Sequence, residues 1–82
     1  MQKALTELNR KEKAEIISIN GGRTMQHRLE KMGIRKHQII SRINTQFMRG
    51  PVIISMNGHQ TAIGRGMASR ILVRPLNSRV PK

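Results

Sequence analysis

Eighty-two residues, no cysteine and a single aromatic side chain bound the chain to one compact domain held by apolar packing, and exclude a disulfide scaffold or a thiolate metal site. Apolar runs such as Val52–Ile54 fall far short of the ~18 residues that suggest a membrane span, and the polar start from Met1 contains no signal segment, so a cytoplasmic protein is expected. The net charge is +12, with all four acids (Glu7, Glu12, Glu15, Glu30) in residues 1–30 and ten basic residues but no acid in 31–82, a balance that attracts nucleic acid, anionic headgroups or an acidic protein face.

In chain order, Ala4 to Leu8 reads as a brief turn or helical cap with Leu5 and Leu8 on one side. Ala14–Ile19 is rich in β-branched residues and predicts a strand, which Asn20-Gly21-Gly22 ends. Thr24 is placed to cap a helix over about 24–32. Met25, Leu29 and Met32 fall at i, i+4 and i+7 on one face, and Gln26, His27, Glu30 and Lys31 face away. Gly33 sits where helices end in a left-handed residue.

From Gln38 the period becomes two. Gln38–Ile43 predicts a strand, Asn44–Gly50 a loop, and Val52–Met56 the next strand. Asn57-Gly58 is the strongest local signal, because that pair suits a two-residue type I′ turn. It predicts the pairs Met56 with His59, Ile54 with Thr61 and Val52 with Ile63, with that face inward and the Ser55–Gln60 face wet. Gly64-Arg65-Gly66 breaks the strand, a helical turn is expected near 66–70, and Ile71–Val73 closes the sheet. Residues 1–74 then form one domain and 75–82 a loose tail. Several short strands, one helix and no long crossover predict a mainly β, small antiparallel barrel.

The chemistry of an enzyme is missing. No phosphate-binding loop, nucleophile elbow or acid/base pair can be assembled, so no catalytic residue is assigned. His27, His37 and His59 lack local ligand spacing, and no metal site or cofactor is expected. Met25, Met32, Met56 and Met67 occupy apolar positions and read as core filler. Nucleic acid is the alternative partner: ten arginines could contact phosphates, but Phe47 is the only ring on which a base could stack.

The ordered pieces Leu5-Thr6-Glu7-Leu8, Ala14-Glu15-Ile16, Arg28-Leu29-Glu30-Lys31-Met32-Gly33-Ile34, Gly50-Pro51-Val52, Gly58 and Ala62–Val73 resemble the FeoA family over about Leu5 to Val73. The resemblance implies an SH3-like barrel and a cytosolic, non-enzymatic accessory protein that modulates the FeoB ferrous iron transporter, at its GTPase domain or its membrane part. Arg28, Arg35, Lys36, Arg42 and Arg49 are the candidate partner-binding residues, meeting an acidic face. A monomer or weak homodimer is expected, with an exposed strand beside the Asn57-Gly58 hairpin as a route to pairing. The module also resembles the C-terminal domain of iron-dependent repressors; with few residues ahead of Leu5, the stand-alone role is expected. Family members usually carry glycine where this chain has Lys11 and His37, so altered local turns and a reshaped rim are expected there.

Overall fold

The computed structural model describes residues 1–44 and 50–76. Six strands form one antiparallel sheet in the order β1-β6-β2-β3-β4-β5: β1 Lys3–Ala4, β2 Lys13–Ile19, β3 Ile39–Arg42, β4 Val52–Met56, β5 His59–Ile63 and β6 Ile71–Pro75. A 3₁₀ turn at Leu5–Glu7 follows β1, helix α1 (Arg23–Lys31) links β2 to β3, and α2 (Arg65–Ala68) links β5 to β6. No helix among the described residues is long and apolar enough to cross a membrane.

Alternation along the strands builds the core. Ala14 and Ile16 of β2, Ile40 of β3, Val52, Ile54 and Met56 of β4, Ile63 of β5, and Ile71 and Val73 of β6 are buried together. Leu5 and Leu8 join this core from the 3₁₀ turn and the residue after it, as do Leu29, Ile34 and Ala68 from α1, its exit and α2. Met25, Met32 and Met67 pack at its margin, and Met56 lies inside it, where flexible thioethers fill uneven space.

The hairpin has the predicted register: Met56 pairs with His59, Ile54 with Thr61 and Val52 with Ile63. Asn57 and Gly58 take φ of +54° and +82°, the left-handed pair that a type I′ turn requires. Helix α1 starts one residue before the predicted start. Gly22, in extended conformation, occupies the cap position and no side chain caps the end, so Thr24 lies inside the first turn rather than capping it.

The exit of α1 follows the sequence closely. Gly33 has φ +86°, its N–H donates to Glu30 O at 2.9 Å, and the Ile34 N–H donates to Leu29 O at 2.9 Å. These two bonds form a Schellman motif, with Ile34 and Leu29 both buried beside it.

Three features depart from expectation. The two-residue strand β1, paired to β6 through Lys3 with Val73 and Ala4 with Leu72, has too few residues to show a period. Strand β6 runs through Pro75 and the Leu76 N–H donates to Lys13 O at 2.9 Å, so the ladder extends past residue 74. Residues 77–82 of the expected tail lie outside the described residues. Finally, Lys11 and His37 keep the turns that glycine would make. Their φ angles are +68° and +71°, and each N–H is held by the sheet: Lys11 N–H to Arg42 O at 2.6 Å, His37 N–H to Ile16 O at 2.7 Å. The sheet hydrogen bonds hold the left-handed geometry despite the Cβ.

Candidate functional site

The segment that leaves α1 is held to the helix at its start and to Ile16 of β2 at its end. The Arg35 N–H donates to Gln38 Oε1 at 2.9 Å, the Ile16 N–H donates to Gln38 O at 2.9 Å, and His37 bonds back to Ile16. Ile34 is buried at one end of this segment and Ile40 at the other. Arg35 and Lys36 are therefore carried outward on a backbone fixed at both ends. Together with Ile19, Ile34, Gln26 and Glu30 they line an open cleft of about 410 Å³ between α1 and β2. Its lining combines two cations, one carboxylate, the polar Ser18 and Gln26, and two apolar side chains.

The five candidates separate. Arg35 and Lys36 share the cleft. Arg28 is exposed in the last turn of α1, where a cation is favoured by the helix dipole, but it does not line the cleft. None of these three forms an ion pair among the described residues. Arg49 lies outside the described residues. Arg42 is a correction: it is 4% exposed, because strand alternation places it on the same inward face as Ile40. Its Nη1 donates to Thr6 O at 2.9 Å and to Leu8 O at 3.0 Å. Burial, with the nearby charge of Arg65, lowers its pKa from the ordinary guanidinium value. Arg42 ties β3 to the turn after β1 and presents nothing to a partner.

A second polar cluster lies on the outer face of the sheet. Glu15 of β2 pairs in register with Arg74 of β6 on one side and Ile39 of β3 on the other. Its carboxylate accepts from Arg74 Nη2 and lies 3.0 Å from His37 Nδ1. The contact with His37, followed by that with Arg74, holds the Glu15 carboxyl below the usual carboxylate range. No composition or spacing signal marks this cluster, because it depends on which strands become neighbours.

Among the described residues no three His, Cys, Asp or Glu side chains gather as a metal site. Chemically, Arg35 and Lys36 add two exposed cations to a cleft that also holds Glu30, Gln26 and the apolar Ile19 and Ile34.

Comparison with known proteins supplies the identity of the module. The chain is 43% identical over 65 residues to the "Putative Fe(2+) transport protein A" of Methanocaldococcus jannaschii, covering 77% of each chain. It superposes on the crystal structure of an iron uptake regulatory protein, FeoA, with a TM-score of 0.83 and 34% identity, covering 93% of this chain and 99% of that one. A FeoA-like protein of Clostridium acetobutylicum gives a TM-score of 0.83 at 22% identity, covering 99% and 94%. A manganese-dependent transcriptional repressor shares the fold alone, with a TM-score of 0.85 at 16% identity, and the match spans 37% of that longer chain. The model of the FeoA domain matches residues 3–75, and with that coverage the six-stranded SH3-like barrel described above belongs to the FeoA family.

Proposed function

We propose that this protein is a cytosolic, non-enzymatic accessory factor of ferrous iron uptake. It binds a FeoB-type transporter through the exposed cations at the exit of α1 and modulates transport without carrying iron itself. The observation that supports this most directly is the family match over residues 3–75, joined by a relative whose name is an Fe(2+) transport protein. The pinned Arg35–Lys36 turn, with Arg28 exposed in the last turn of α1, supports the means of binding. Long-range charge speeds encounter with an acidic surface and sets orientation, and the rigid backbone reduces the entropy lost on docking.

Deleting the gene should slow uptake of radiolabelled Fe(II), and the wild-type chain should restore it. The double variant Arg35→Glu, Lys36→Glu should fold normally, since both side chains are exposed, and should restore uptake poorly. Full restoration by that variant would remove the rim from the proposal. Uptake unchanged by the deletion would remove the function.

A further inference from the structure

The longest stretch without Lys, Arg, Asp or Glu runs from Gly50 to Gly64, fifteen residues bounded by Arg49 and Arg65 in a chain of net charge +12. It comprises the hairpin β4–β5. Strand β5 ends the sheet order, so among the described residues it has one strand neighbour. The register fixes which of its backbone groups are free. A two-residue turn closes on a hydrogen-bonded pair, here Met56 with His59. His59, Thr61 and Ile63 therefore bond to β4, while the N–H and C=O groups of Gln60 and Ala62 point away from it.

Sheet edges are ordinarily blunted by shortness, a charge, a proline or a bulge. At the opposite edge, β1 is two residues long and includes Lys3. Strand β5 has five residues, an unbroken register and none of those devices. Gln60 and Ala62 are exposed.

From this we infer that β5 is a self-association edge, and that its occupant is β5 of a second copy of this chain. The free groups are self-complementary about Thr61. In antiparallel pairing on a two-fold axis, Gln60 lies opposite Ala62 of the second copy and Ala62 opposite its Gln60. Each pair exchanges two backbone hydrogen bonds, and Thr61 faces its own counterpart, a favourable cross-strand pair. Charge selects the same edge: two chains of +12 repel, and the uncharged hairpin is where they approach with least cost. The interface is small, so the dimer is weak, with a Kd on the order of 0.1 mM, and it strengthens as salt screens the like charges. The inference is independent of the transporter reading.

Sedimentation velocity of the full chain over a concentration series, at about 0.05 M and about 0.5 M salt, tests it. The expected result is a monomer–dimer equilibrium whose Kd falls several-fold at the higher salt. Ala62→Pro removes one outward N–H without touching the β4 ladder and should leave a monomer. Ala62→Lys, which restores the charge that edges usually carry, should do the same if the proline variant folds poorly. A chain that stays monomeric at millimolar concentration in high salt overturns the inference. So does a dimer that survives Ala62→Lys unchanged, or one that weakens as salt rises.

Discussion

Arg42 is the residue whose role changed most between sequence and structure. Its charge suggested a surface, yet the strand period put it on the face of Ile40, and the period prevailed because Thr6 and Leu8 offer two carbonyls to its guanidinium. Removing those donors leaves both carbonyls short of a partner. Arg42→Met, similar in length, should cost about 2–3 kcal/mol and lower the melting temperature by ~10 °C or more, measured by calorimetry. A change of less than ~0.5 kcal/mol would mean that the two bonds contribute nothing net. Glu15 predicts a pH dependence. Its carboxyl is held below the usual range in the folded chain by His37 and Arg74, so the stability it contributes is present above the unfolded pKa of about 4.3 and is lost as pH falls through the folded value. Denaturant titrations across this acid window should show a steeper loss for the native chain than for Glu15→Gln. Lys11 takes a backbone angle suited to glycine. Lys11→Gly relieves the Cβ strain but adds freedom to the unfolded chain, for a net gain of about 0.5–1 kcal/mol. Equal or lower stability would show that the strain is already relaxed.

At the scale of elements, local chemistry was the most legible part of the chain. Asn57-Gly58 set both turn type and register, since few dipeptides take two successive left-handed residues. Gly33 set the end of α1, and the period of Met25, Leu29 and Met32 set its inward face. What the sequence could not supply was pairing between distant segments. Strand β1 exists because β6 lies beside it, and Glu15 meets Arg74 across 59 positions of chain. The helix start also escaped, because Gly22 can serve as a cap without a side chain while Thr24 only has the right chemistry for one. The Schellman exit yields its own prediction. A Cβ at Gly33 would meet Met56 Cε at 3.7 Å, an ordinary contact, so Gly33→Ala tests backbone strain rather than crowding. It should destabilise by about 1 kcal/mol, read from the denaturant midpoint. No change would imply that the exit of α1 rearranges freely.

Across the whole molecule, charge is distributed unevenly in sequence and in space. Positive side chains stand at the exit of α1, while a neutral hairpin forms one edge of the sheet, giving the small barrel two unlike surfaces. The candidate site was legible only in part: Gly33 marks the exit of α1, where Arg35 and Lys36 are exposed and line a cleft, whereas Arg42 was misplaced by reading charge as exposure. Fold and function remain separate claims, since the same barrel occurs in a transcriptional repressor of much greater length. The proposed function therefore turns on whether the cations at the exit of α1 bind a transporter. The most direct test is a titration of the full chain against the purified FeoB-type transporter of the same organism in detergent, at physiological salt. The isolated GTPase domain and random duplex DNA are titrated in parallel. Saturable binding to the transporter is expected, weakened about tenfold or more by Arg35→Glu, Lys36→Glu, with DNA binding that fades steeply as salt rises. No binding to the transporter, together with tight, salt-resistant binding to nucleic acid, would contradict it.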